Sequence, residues 1–203
     1  MAPTLLVTGF GPWPGVRVNP TAALVAGLSR DDLPEPGACR LVTKVLPTEY
    51  RRSWTMLRRA VLQNRPDIIL HFGFAPKAEA IALERFGRLA CLRRADAAGY
   101  APRSGTASRS GPDRLASTMP LKPLAMAMRR AGLAVVLSEN AGGYLCNATF
   151  YRSLQRLGDG RHIGFVHLPG RGQHADHDVY RQVAKITIQA TLAALAPRLR
   201  SDS

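Results

Sequence analysis

The chain has 203 residues, 46% hydrophobic and 21% charged, with three cysteines. That composition fits one globular domain and excludes a disulfide scaffold, a coiled coil and a collagen-like chain. No run reaches the ~18–20 apolar residues of a membrane span, and the opening ten residues lack the basic region of a signal peptide, so a cytoplasmic protein is expected.

The net charge is +14, from 28 basic residues of which only Lys44, Lys77, Lys122 and Lys185 are lysine. The arginines fall in dispersed pairs, Arg51-Arg52, Arg58-Arg59, Arg93-Arg94 and Arg129-Arg130, without interleaved aromatics. Solvated helix faces explain that pattern better than a nucleic-acid stripe does.

In chain order, Thr4–Thr8 is an apolar run closed by Gly9, which predicts a buried strand. Asn19-Pro20 predicts a capped helix over 20–29. Arg40–Leu46 reads as a second strand. Thr48 then reads as the N-cap of a helix whose Tyr50, Trp54, Leu57 and Val61 share one face. Asp67–Phe72 is a third strand. Residues 79–93 alternate as a strand does, with Ile81, Leu83, Leu89 and Cys91 on one parity. Residues 94–118, rich in Gly, Ser, Pro and Arg, predict a long mobile loop. A helix over 119–131, a strand over 134–138, a helix over 145–157, a strand over 163–168 and a helix over 175–196 complete the chain. No internal repeat or boundary divides it, so residues 1–203 form one domain. Strands apolar on both faces alternating with helices predict a three-layer α/β/α fold around a mixed, largely parallel sheet.

Ligands in such folds bind beyond the carboxyl ends of strands. Phe10 and Trp13 follow the first strand, Thr48 the second and Phe74 the third; His167 ends the last. Cys146 lies in a Gly-Gly turn that leads into a helix. A cysteine in a helix's first turn meets open N–H groups and the positive dipole end, which favour the thiolate. Its other reading is a buried structural thiol, the reading that suits Cys39 and Cys91. A nucleophile needs a base, and His167 is placed to reach it. His71 lies inside an apolar strand and reads as a core histidine, and His162 reads as a surface residue. His174 and His177 lack a third ligand, so no metal is expected. The carboxylate that would orient His167 is Glu84 or Glu139.

These segments resemble the pyroglutamyl peptidase I family of cysteine peptidases. The resemblance rests on L-V-T-G-F-G-P-W at 6–13, V-N-P at 18–20, V-L-P-T at 45–48, R-P-D-I-I at 65–69, A-G-G-Y-L-C-N-A-T-F-Y at 141–151 and G-F-V-H-L-P at 164–169. It implies Cys146 as nucleophile, His167 as base and Glu84 as the third catalytic residue. Phe10, Trp13, Thr48, Phe74, Tyr144 and Leu145 would then bind substrate. It further implies removal of N-terminal 5-oxoproline from blocked peptides, no cofactor, and a cytosolic homo-oligomer, a tetramer or dimer. Three positions depart from the family pattern. Phe74 stands where a lactam-facing glutamine is usual, Leu89 where an asparagine is frequent, and Ala98 where an arginine is common. The resemblance therefore implies an intact catalytic trio in altered recognition surroundings.

Overall fold

The computed structural model describes residues 2–201. In chain order they form β1 (Thr4–Phe10), α1 (Pro20–Gly27), β2 (Arg40–Leu46), α2 (Tyr50–Asn64), β3 (Ile68–Ala75), β4 (Ile81–Glu84), β5 (Phe86–Arg88), β6 (Arg114–Ala116), α3 (Leu121–Arg130), β7 (Val135–Ser138), α4 (Leu145–Leu157), β8 (His162–Pro169) and α5 (His177–Ser201). A single 3-10 turn, Arg30–Asp32, follows α1.

Six strands make one sheet in the order β2-β1-β3-β8-β4-β7, and β5 pairs with β6 beside it. Strands β2, β1, β3 and β8 are parallel. β4 runs antiparallel to β8, and β7 runs with β4. The period-two alternation of a strand sorts its side chains between two cores. Leu5 and Val7 of β1, Ile68, Leu70 and Phe72 of β3, and Val166 and Leu168 of β8 pack under α1, α3 and α5. The intervening Leu6, Ile69, Ile163 and Phe165 pack under α2 and α4. These two cores on either side of one sheet form the expected three-layer fold with a mixed, mostly parallel sheet.

Several expectations need correction. Gly9 does not close β1. It lies inside the strand, where a Cβ would run into the Thr21 carbonyl of α1 and only glycine fits. Likewise β3 continues through Gly73 and Phe74 to Ala75. Thr48 is not the cap of α2: the N-cap is Glu49, without a side-chain bond. Thr48 Oγ1 instead donates to the Gly11 carbonyl at 2.8 Å. The cap is supplied from far along the chain, by Asp96 Oδ2, which accepts from Tyr50 N at 2.8 Å. The single parity expected over 79–93 breaks at Arg85. Ile81 and Leu83 face one core, whereas Leu89 and Cys91 pack against the other, and Cys91 lies outside any strand. β7 is an edge strand, and Val136 and Leu137 are exposed on it.

Within residues 94–118, Thr106 forms an isolated bridge back to Ala90, β6 pairs with β5, and Ala107 is buried. Asp96 Oδ1 accepts from the amides of Ala98 and Tyr100, both at 2.9 Å.

Candidate active site

The reversal of β4 creates the central pair of the site. Ala82 stands opposite His167 across the β4–β8 ladder. Glu84, two residues on, projects from the same face and is His167's diagonal neighbour, within reach of long side chains. His167 Nδ1 donates to Glu84 Oε1 at 2.7 Å, and both residues are buried. Glu84 Oε2 is also buried and has no hydrogen-bond partner among the described residues. With no other donor competing, the carboxylate's charge acts on the imidazole.

Room for the imidazole comes from Gly73, its partner across the β3–β8 ladder. A Cβ there would come 2.6 Å from Phe165 Cε1 and 2.8 Å from His167 Cδ2. The Phe165 and His167 rings pack with centroids 4.7 Å apart.

Cys146 arrives from the helix layer, as the second residue of α4. The N-cap Tyr144 makes no side-chain capping bond. The first-turn N–H groups are therefore open, at the positive end of the helix dipole. Gly142 permits the approach with φ +79°, and Gly143 packs where a Cβ would meet Leu92 Cγ at 2.6 Å. The next residue, Asn147, is wholly buried and fixes the start of α4. Its Oδ1 accepts from Arg88 N, and its Nδ2 donates to the carbonyls of Arg88 and Ala90. Sequence reasoning passed over Asn147 because its partners lie more than fifty residues away.

Electrostatics tie the three groups together. Burial opposes a charge on His167, but the hydrogen-bonding Cys146 sulfur and the Glu84 carboxylate outweigh it and raise its pKa to about 10. Burial alone pushes the Cys39 thiol up to about 11, and for Cys91 burial raises the pKa against the opposing Asn147 hydrogen bond and Arg152 charge. Glu139 lies outside the site, exposed and paired with Arg85 at 2.5 Å.

A cavity of about 580 Å³ opens beside Cys146, His167 and Glu84, and Phe10, Trp13, Thr48, Phe74, Tyr144 and Leu145 all line it. The Trp13 and Phe74 rings face each other with centroids 6.3 Å apart. Two polar side chains of the lining are committed elsewhere, because Asn19 Nδ2 and Thr48 Oγ1 both donate to the Gly11 carbonyl. Leu89 and Ala98 do not line the cavity. Arg94 does, with its guanidinium 5.0 Å from the centroid of the Tyr144 ring. A guanidinium thus reaches the cavity wall from position 94, while position 98 carries alanine. An arginine within a pair on a loop gave no sequence signal to mark it.

Three of the four remaining histidines have structural partners. His71 is buried between Thr8 Oγ1 at 2.6 Å and Ser153 Oγ at 3.1 Å, and burial lowers its pKa to about 3. His162 Nδ1 meets the Thr118 carbonyl, and His174 Nε2 accepts from Ala134 N. Among the described residues no three His, Cys, Asp or Glu side chains form a metal-binding group.

A family model described as pyroglutamyl peptidase matches residues 3–199. Pyrrolidone-carboxylate peptidase 1 of Ralstonia nicotianae is 33% identical over 195 residues, 94% of this chain and 89% of that one. The Pyrococcus furiosus pyrrolidone-carboxylate peptidase is 29% identical, over 94% of this chain and 99% of its own. Among solved structures, pyroglutamyl peptidase I of Bacillus amyloliquefaciens superposes with a TM-score of 0.84 at 27% identity, covering 94% of this chain and 97% of that one. A mutant pyrrolidone carboxyl peptidase from P. furiosus gives a TM-score of 0.84 at 27% identity, covering 95% and 99%.

Proposed function

The chain belongs to the pyroglutamyl peptidase family, and we infer that it is a cysteine-type exopeptidase removing an N-terminal pyroglutamyl group from peptides. In this reading Cys146 is the nucleophile, His167 the acid–base and Glu84 its orienter. The observation that carries the assignment is the buried Glu84–His167 hydrogen bond, which lies with Cys146 on the wall of one largely apolar cavity.

The Cys146 thiolate attacks the pyroglutamyl carbonyl carbon, and the oxyanion meets the open N–H groups at the start of α4. His167 gives its proton to the leaving amine, and the peptide departs. The neutral imidazole then takes a proton from water, whose oxygen displaces the thiolate and releases pyroglutamate. Glu84 holds the ring orientation and stabilises the imidazolium throughout.

Phe10, Trp13, Phe74, Tyr144 and Leu145 enclose the five-membered ring in this scheme, with Thr48 bracing the Gly11 carbonyl behind it. Phe74 has no amide to offer the lactam. The pocket therefore sorts N-terminal groups by size and shape more than by hydrogen bonding, which narrows its preference for pyroglutamate over other small apolar groups. A cytoplasmic homo-oligomer, dimer or tetramer, is the working form we propose. Exposed Val136 and Leu137 on the edge strand β7 support it, and light scattering on the purified protein tests it. No helix among the described residues is long and apolar enough to cross a membrane.

Hydrolysis of a fluorogenic pyroglutamyl amide is the direct test. Wild type is expected to turn it over, and Cys146→Ala to have no measurable activity with an unchanged circular dichroism spectrum. Iodoacetamide is expected to label Cys146 ahead of Cys39 and Cys91. Activity that survives Cys146→Ala overturns the assignment.

A further inference from the structure

Away from the nucleophile, the segment from Gly99 to Arg109 lies over the start of α2 and the side of α4, and a second cavity of about 840 Å³ opens there. It shares no lining residue with the pyroglutamyl cavity. Arg51, Arg103, Arg109 and Arg152 line it together with the hydroxyls of Ser104 and Thr106, and no carboxylate does.

One of these arginines stands against its electrostatic preference. Arg152 is half-buried, yet its Nε and Nη1 donate only to the main-chain carbonyls of Ala107 and Tyr50. Burial pulls its pKa below the ordinary arginine value. Arg51 sits in the first turn of α2, which has no acidic residue of its own and is capped by Asp96 Oδ2 on Tyr50 N. Its guanidinium lies 4.4 Å from the centroid of the Tyr100 ring, which fixes it at the cavity wall. Among the described residues none of the four forms an ion pair with a carboxylate. Like charges around one concave space repel and concentrate counter-ions there. Guanidinium forks match the oxygens of phosphate two at a time, and four of them favour a ligand with several negative charges.

We propose that this cavity is a binding site for a polyphosphate chain, with Arg152 as its inner contact and the exposed Arg51, Arg103 and Arg109 closing around it. The ligand's shared chemistry is a run of linked phosphates, either bare or carried by a nucleotide.

Isothermal titration of the full chain with sodium tripolyphosphate, in phosphate-free buffer of low ionic strength, tests this. One equivalent is expected to bind per chain, and binding weakens as salt is added. Arg103→Gln/Arg109→Gln is expected to raise Kd about tenfold or more, through the loss of two charge-assisted contacts. Arg152→Gln is expected to do the same. Because Arg152 also braces Ala107 and Tyr50, the double variant at exposed positions carries the test if Arg152→Gln fails to fold. Arg58→Gln/Arg130→Gln removes the same charge from exposed positions outside the cavity and is expected to leave Kd within about twofold. Absence of binding, several equivalents per chain, or equal weakening by the control pair overturns the proposal. ATP titrated in parallel separates the sources: tighter binding than tripolyphosphate identifies a nucleotide, and equal or weaker binding identifies the bare chain.

Discussion

At His167 the ordinary order of histidine chemistry is displaced. A buried imidazole normally loses its proton below neutrality, as His71 does with a pKa near 3. His167 is equally enclosed, but the Cys146 sulfur and the Glu84 carboxylate keep it charged to about 10. The proton needed by the leaving amine is therefore present at neutral pH, and the alkaline limb of kcat/KM should fall as pH approaches that value. Glu84→Gln removes one source of the elevation, so the limb should move to lower pH while kcat drops by about 10–100-fold. An alkaline limb that stays in place after Glu84→Gln would show that the carboxylate does not set the His167 charge. Phe74 permits an independent test on substrate choice. Phe74→Gln should raise the ratio of kcat/KM for pyroglutamyl over prolyl amides by about tenfold or more, because a buried amide rewards the lactam and penalises its absence. An unchanged ratio would mean that position 74 does not contact the ring. Cys146 and His167 were legible as candidates because each stands in a local motif, and only the family resemblance chose Glu84 over Glu139. Arg94 and Asn147 were not, since their significance lies in what the fold brings to them.

Among the elements, the helices and the parallel strands were readable because their apolar periodicity is local. Strand direction was not. Nothing in Ile81–Glu84 distinguishes a parallel strand from an antiparallel one, yet the reversal of β4 is what sets Glu84 diagonally below His167. The carboxyl-end rule accordingly explains Phe10, Phe74 and His167 but not Glu84, which the sheet face supplies. The start of α2 makes the same point through a cap. Thr48 is the residue a sequence reader chooses, whereas the acceptor is Asp96, 46 positions beyond the Tyr50 amide that it caps. Asp96 also gathers the amides of Ala98 and Tyr100, and the Tyr144 hydroxyl donates to the adjacent Ala95 carbonyl at 3.0 Å. Asp96→Asn should therefore cost about 1–2 kcal/mol of stability, the range for a lost helix cap. It should also speed amide exchange at the start of α2 and over residues 97–105, and raise KM through Tyr144. If exchange rises only in the loop and not in α2, Asp96 does not act as the cap.

Across the whole molecule, α5 is held to the turn after α1, its neighbour in the same helix layer, by more than apolar contact. Asp32, in the 3-10 turn after α1, is fully buried and receives three kinds of donor. Ser29 N donates to its Oδ2 at 2.9 Å, Arg181 bridges both oxygens at 2.9 and 3.2 Å, and Lys185 Nζ lies 3.3 Å from Oδ1. Sequence reading could not anticipate this clamp, because Asp32 and Arg181 are 149 residues apart. Burial works to raise the Asp32 pKa, but Arg181, the Ser29 amide and Lys185 together hold it below the usual carboxylate value. A carboxyl group with a depressed folded pKa adds stability above its unfolded pKa, and that stability is lost as pH falls through the folded value. Asp32→Asn should accordingly lower the urea midpoint at about pH 7, and the gap from wild type should close below about pH 4. The +14 charge makes both proteins less stable in acid through general repulsion, so the difference between them, rather than either midpoint, isolates Asp32. A gap of constant size from about pH 7 down to about pH 2.5 would mean that Asp32 contributes by packing and neutral hydrogen bonds alone, and the charged clamp between α5 and the turn after α1 would have to be abandoned.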